Sequence, residues 1–214
     1  MLWDLRNKER NGAAAAAAAV ADGGQLFPTK ALPKFLATLT SRESPVLMDL
    51  GPVVGSNVTF LGERLGCKII LEDLFGDVDR YPTNAETPLA EYLKTRLKHP
   101  PGSVDGILCW NLFDFLDLPS AQVLAASLTK ILKTDGAVLA FFATIGATDA
   151  KFSKYIIMDE GSVKQRPYSQ IGRKQTALPN RDVIRMFEGL KVAESFLLKT
   201  NIREFLFRKP AQTS

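Results

Sequence analysis

Short apolar runs alternate along this chain with stretches whose apolar residues recur every three or four positions, the pattern of strands and amphipathic helices in turn. Val46-Leu47-Met48-Asp49-Leu50 predicts a short buried strand ending at Gly51. Val58, Leu61 and Leu65 share one face of a helix that starts near Ser56, and Gly66 suits its C-terminal stop. Lys68-Ile69-Ile70-Leu71 predicts a second strand, closed by Glu72-Asp73, and the crossover between the two is expected to be right-handed. Residues 73–86, rich in Asp, Pro and Asn, predict a loop. Thr87 as N-cap and Pro88 as first helical residue open a helix with Leu89, Leu93 and Leu97 on one face, broken by Pro100-Pro101-Gly102. Ile107-Leu108-Cys109-Trp110 predicts the next buried strand. Leu118-Pro119-Ser120 opens a helix with Leu124, Leu128, Ile131 and Leu132 inward, and Thr134-Asp135-Gly136 turns into a strand from Ala137 to Ala143. Further on, Tyr155–Met158 and Ser162–Tyr168 predict a small hairpin around Asp159-Glu160-Gly161. Asn180 caps a short helix carrying Val183, Ile184 and Phe187, stopped by Gly189. Val192–Leu198 and Ile202–Phe207 form a closing antiparallel hairpin.

This order predicts an α/β fold, a Rossmann-like, doubly wound, mostly parallel sheet with a C-terminal antiparallel hairpin. The expected organisation is an N-terminal extension over residues 1–30, with an Ala-rich linker, and a domain over 31–214 in which 151–178 is a basic hairpin insertion. With 214 residues, 46% of them hydrophobic and 23% charged, the chain suits one globular domain with a full core. No apolar run reaches the roughly 18 residues of a membrane helix, so a soluble, cytoplasmic protein without membrane contact is expected. Ala13–Val20 follows a mildly basic start, but alanine alone is a poor centre for a secretory signal, and the run reads as low-complexity linker or frayed helix. Cys67 and Cys109 make no disulfide framework and no metal cluster, and each is expected as a buried thiol. His99 is the single histidine, so a Ser-His-Asp triad or a metal centre would have to be built around it alone. The net charge of +4 resides in residues 151–174, where six cations face two carboxylates. Such a patch suits an anionic substrate or nucleic acid, or else a solvated hairpin.

Candidate chemistry centres on Asp49-Leu50-Gly51-Pro52-Val53-Val54-Gly55. A glycine straight after a buried strand lets the backbone turn sharply and lets a ligand approach where a Cβ would collide. The helix that follows presents N–H groups at its start, and crevices at the carboxyl ends of parallel strands are where open α/β sheets bind ligands. Glu72 ends the next strand, 21 residues after Gly51, where an acid accepts hydrogen bonds from the ribose hydroxyls of a nucleoside; Asp73 could serve instead. Trp110 either walls a pocket or fills the core between sheet and helix. Phe113 and Phe115 read as core.

These residues resemble the class I S-adenosylmethionine-dependent methyltransferases over about residues 31–210. The family's first motif, acid-x-Gly-x-Gly-x-Gly, matches at Asp49, Gly51 and Gly55, with Val53 in place of the middle glycine. Its ribose acid falls on Glu72, its polar residue at the end of strand four on Asn111, and its Leu-Lys-Pro-Gly-Gly turn on Leu132-Lys133-Thr134-Asp135-Gly136. The closing hairpin is similar to the family's strands six and seven. The resemblance implies S-adenosylmethionine as cofactor, held by Asp49, Gly51, Pro52, Gly55, Glu72, Asp73, Trp110 and Asn111, and a small-molecule or protein methyl acceptor. It names no catalytic base, although Asn111, Asp114 and Tyr168 are candidates to orient or deprotonate a nucleophile. Between Asp73 and Val104 there is no third strand with its trailing Asp, so adenine recognition is unassigned; Leu74 and Phe75 either stack on the base or belong to the core. Trp3, Arg6, Lys8 and Arg10 form either a lid or a tail. Two other readings stand beside it. Val53 and the missing adenine acid suit a non-catalytic binding module with a decayed methyltransferase fold, while a glycine turn with a ribose acid also suits a nicotinamide-dependent oxidoreductase, whose Gly-x-Gly-x-x-Gly spacing is lacking here.

Overall fold

The computed structural model describes residues 24–82, 84–145, 152–167 and 175–211. Strand β1 (Gln25–Pro28) and helix α1 (Ala31–Thr40) precede β2 (Val46–Asp49). Helix α2 (Gly55–Val58) continues into a π-helical turn (Thr59–Arg64) and leads to β3 (Lys68–Leu71). Helices α3 (Leu74–Arg80) and α4 (Leu89–Arg96) follow, then β4 (Val104–Trp110), a 3₁₀ turn (Leu112–Phe115), α5 (Leu118–Ile131) and β5 (Leu132–Ala143). Strands β6 (Ser153–Asp159) and β7 (Ser162–Pro167), helix α6 (Asn180–Met186) and strands β8 (Lys191–Leu197) and β9 (Ile202–Arg208) complete the fold.

The main sheet runs β3-β2-β4-β5-β9-β8. Its first four strands are parallel, while β9 lies antiparallel to β5 and β8 antiparallel to β9. Strands β2 and β4 sit side by side, Met48 opposite Ile107 and Asp49 opposite Leu108, so the glycine bend and Trp110 emerge at the same sheet edge. β4 is buried along its whole length, as expected of a central parallel strand covered on both faces. Gly106 lets α1 approach it: a Cβ there would come within 2.7 Å of Leu39 and 2.9 Å of Phe35. The C-terminal strand anchors the same helix, because buried Glu204 accepts hydrogen bonds from the N–H groups of Lys30 and Ala31, each at 2.9 Å. A carboxylate at a helix start satisfies groups that have no partner within the helix. No helix among the described residues is long and apolar enough to cross a membrane.

Several elements differ from expectation. Residues 73–86 hold helix α3 rather than only loop, because Asp73 adopts a left-handed conformation (φ 39°) and its carboxylate caps the Gly76 N–H. α4 starts at Leu89, with Pro88 as the flanking residue, one position later than expected. Asn180 is the first residue of α6 and not its cap; its side chain accepts from Arg203. The turn before β5 is instead an irregularity within that strand: Leu132 pairs with Val104 and Ala137 with Gly106, and Lys133–Gly136 are looped out between them. The hairpin β6–β7 forms where expected and takes β1 as a third strand, in the order β1-β7-β6. Its Lys164 is buried, so the hairpin is not simply a solvated basic face.

Candidate functional site

β2 ends in Asp49, whose side chain is buried and folds back on its own bend. Asp49 Oδ1 accepts the Gly51 N–H at 2.9 Å and the Trp110 Nε1–H at 2.7 Å. Burial raises the Asp49 pKa to about 6, and these two hydrogen bonds hold it below what burial alone would give. Gly51 and Pro52 are buried, while Val53 is half exposed and Gly55 is exposed with open space where a Cβ would stand.

Gly51 has the opposite surroundings. A Cβ there would lie 2.6 Å from Trp110 Cδ1 and 2.8 Å from its Nε1. The space that the missing side chain leaves is taken by the chain's own indole. Trp110 reaches it through a left-handed backbone (φ 49°) at the end of β4, rare for a bulky residue. The indole stacks on Tyr155 of β6, ring centroids 5.3 Å apart and planes 4° from parallel, and Phe141 meets both rings edge-on. Burial pushes the Tyr155 hydroxyl pKa well up.

β6 is fastened over the bend by Asn57, in the short helix α2. Its side-chain amide donates to the Tyr155 carbonyl at 2.7 Å and accepts the Ile157 N–H at 2.8 Å, standing in for a strand neighbour. One residue before β6 begins, Phe152 stacks on Phe115 at 3.7 Å and meets Phe75 edge-on. Phe75 and Leu74 are fully buried.

Glu72 lies at the end of β3, as the spacing predicts, and both its carboxylate oxygens are engaged. One meets the His99 ring, the other accepts from Arg96 at 2.6 Å, and Arg96 also donates to the Glu72 carbonyl at 2.9 Å and to Asp77 at 2.5 Å. Burial lowers the Arg96 pKa, but Glu72 and Asp77 outweigh it and raise it overall. His99 is thus drawn to the carboxylate that spacing marks for a ribose. Asp73 is engaged in its helix cap. Asn111 is buried straight after β4 and opens the 3₁₀ turn. Asp114, in that turn, is buried with Oδ2 accepting the Ala143 N–H at 2.9 Å, and burial raises its pKa to about 7. Tyr168, Trp3, Arg6, Lys8 and Arg10 lie outside the described residues, as do Lys151, Arg173 and Lys174 of the basic segment.

The fold brings Asp49, Gly51 and Trp110 into direct contact. It places Glu72 and Asp73 beside the bend, since the Glu72 N–H bonds the Asp49 carbonyl and the Leu74 N–H the Leu50 carbonyl. Sequence reading does not find Asn57, Tyr155, Phe152, Arg96 or the engagement of His99. The one available signal, an amide two residues beyond Gly55, is common at helix starts for other reasons.

No family profile matches the sequence, and no curated protein does. Solved structures match in shape. The complex between the Haloferax volcanii Trm112 methyltransferase activator and a proposed methyltransferase contains a chain that superposes with a TM-score of 0.51 at 14% identity, over 85% of this chain and 89% of that one. A proposed S-adenosylmethionine-dependent methyltransferase from Listeria monocytogenes gives 0.50 at 10% identity, over 85% and 97%. This is the class I methyltransferase-like Rossmann fold. At such identity the likeness establishes architecture, and the chemistry has to be argued from the site.

Proposed function

We propose that this chain is a methyltransferase-fold protein whose nucleoside crevice is occupied by its own side chains, and that it works by binding rather than by methyl transfer. The observation that carries this reading is the Trp110 indole lying 2.6 Å from where a Gly51 Cβ would stand. A cofactor seated on the bend needs that volume. Other features agree. The Asp49 carboxylate already has two donors, both Glu72 oxygens have cationic or ring N–H partners, and Asp73 caps a helix. These residues, so arranged, do not fit S-adenosylmethionine, and no step of methyl transfer is derived for them.

The measurement is titration of the purified chain with S-adenosylhomocysteine, by calorimetry and by melting. No heat and an unchanged Tm at millimolar ligand are expected, since a ligand that does not bind the native state cannot stabilise it. Micromolar binding would instead favour the second reading, a methyltransferase acting on a small-molecule or protein acceptor. That reading is favoured by the fold and by Gly55, which keeps open space at the far end of the bend. It requires Trp110 and Tyr155 to leave their present positions.

A further inference from the structure

The internal occupant of the crevice is held by the Asp49 carboxylate and by the rings of Phe141 and Tyr155. The indole of Trp110 meets Gly51 through its Cδ1 and Nε1 and stacks on the Tyr155 ring. The indole belongs to the last residue of β4 in the main sheet, but the phenol belongs to β6, which is paired with β7 in the separate three-stranded sheet and not with any strand of the main one. Two hydrogen bonds from one side chain, Asn57, tie the β6 backbone to the crevice rim. Trp110 itself sits in a backbone conformation that L residues avoid, and such strain persists only where the surroundings enforce it. Tyr155 and Asp49 are those surroundings.

Resting on the reading above, we propose that β6 is a strap latched by the Asn57 amide, and that its release frees Trp110 to swing off Gly51 and opens the crevice to a nucleoside. The latch explains why a polar side chain that is almost fully buried points at a strand backbone from a helix of only four residues. It gives Gly51 a use in both forms: the glycine serves the indole in the closed form and a nucleoside in the open one. Closed and open forms exchange one aromatic ring over the bend for another, so apolar contact is replaced rather than lost.

Native-state hydrogen exchange on the unmodified chain tests the strap without any variant. The Ile157 amide, held by the Asn57 carbonyl oxygen, is expected to exchange through a local opening, at least ten-fold faster than the Leu139 amide of β5 and with little dependence on denaturant. Equal rates and equal denaturant dependence at the two amides would overturn the proposal. A second measurement uses Asn57→Ala in a Trp3→Phe background, which leaves Trp110 as the only tryptophan. Acrylamide quenching of Trp110 is expected to rise several-fold while the melt stays cooperative; unchanged quenching in a cooperatively melting variant counts against the strap. S-adenosylhomocysteine binding by Asn57→Ala and not by the parent supports both the strap and the self-occupied crevice. Equal, tight binding by the parent overturns the self-occupied reading, whereas the exchange result alone decides whether the strap opens.

Discussion

Two carboxyls, Asp49 and Asp114, lie in the interior with pKa values raised by burial to about 6 and about 7. In the unfolded chain each titrates near 3.8, so the folded state holds extra protons between these limits. The stability they contribute is present below pH 3.8 and is lost as pH rises through 6 to 7. With about 1.4 kcal/mol per pKa unit, the loss amounts to a few kcal/mol for each group. Asp114→Asn keeps an acceptor for the Ala143 N–H without a charge to bury. Urea unfolding is expected to find it level with the parent at pH 3.5 and more stable at pH 8. The Gly51–Trp110 contact calls for a double-mutant cycle. Gly51→Ala alone should destabilise by about 1–3 kcal/mol through overpacking, and Trp110→Ala by about 3–5 kcal/mol through loss of a large buried side chain. Combined, Gly51→Ala should add almost nothing, since the ring that it strikes is gone. Asp49 and the glycine bend were legible in the sequence because an apolar run ending at Gly is a local signal. The direction of Trp110 was not. A tryptophan at a strand end points to pocket or core according to one backbone angle, and φ at 110 has no local sequence marker. Arg96 and His99 were equally hidden, because they reach Glu72 only after α3 and α4 have turned the chain back over 24 and 27 residues.

At the scale of elements, the parallel core was readable from β-branched and leucine-rich runs between Gly and Pro breaks, and so was the closing hairpin. Helix α3 escaped because its sequence, Leu74-Phe75-Gly76-Asp77-Val78-Asp79-Arg80, is short and carries a glycine; what makes it a helix is the Asp73 cap and burial of Leu74, Phe75 and Val78. The partnership of β1 with β7 was out of reach because residues 25 and 165 are too far apart for any periodicity to join them. Close approach between elements gives a sharp test. Gly106→Ala should cost about 1–3 kcal/mol in denaturant unfolding, because its Cβ meets Leu39 and Phe35 and forces α1 away from β4. Glu204→Ala should cost about 1–3 kcal/mol, by removing the acceptor for two N–H groups at the start of α1 and leaving them buried. Glu204→Gln, which keeps an acceptor, should recover much of that loss.

Across the whole molecule, fold and site diverge. The sheet order, the helix placement and the shape shared with the solved structures all follow from a hydrophobic pattern that many sequences satisfy. The crevice, in contrast, is decided by five or six side chains: Asp49, Asn57, Glu72, Trp110 and Tyr155, with Phe152 beside them. Between β3 and β4 the chain supplies two helices and no strand among the described residues, so β3 forms the outer edge of the sheet. At the other side, β9 lies inside the sheet between β5 and β8. A chain ending at Leu198 should therefore show no cooperative melt and no near-ultraviolet dichroism, since the buried run Ala137–Ala143 would face solvent along one whole edge.

The position of β9 also governs how this protein comes into being on the ribosome. Strand β9 follows every other described strand in sequence, and among the described residues its neighbour β8 has no other partner in the sheet. Until residues 202–208 have cleared the exit tunnel, β8 has nowhere to pair and Glu204 cannot anchor α1, so the nascent chain must wait, half-assembled, with an apolar strand exposed to chaperones and to its neighbours.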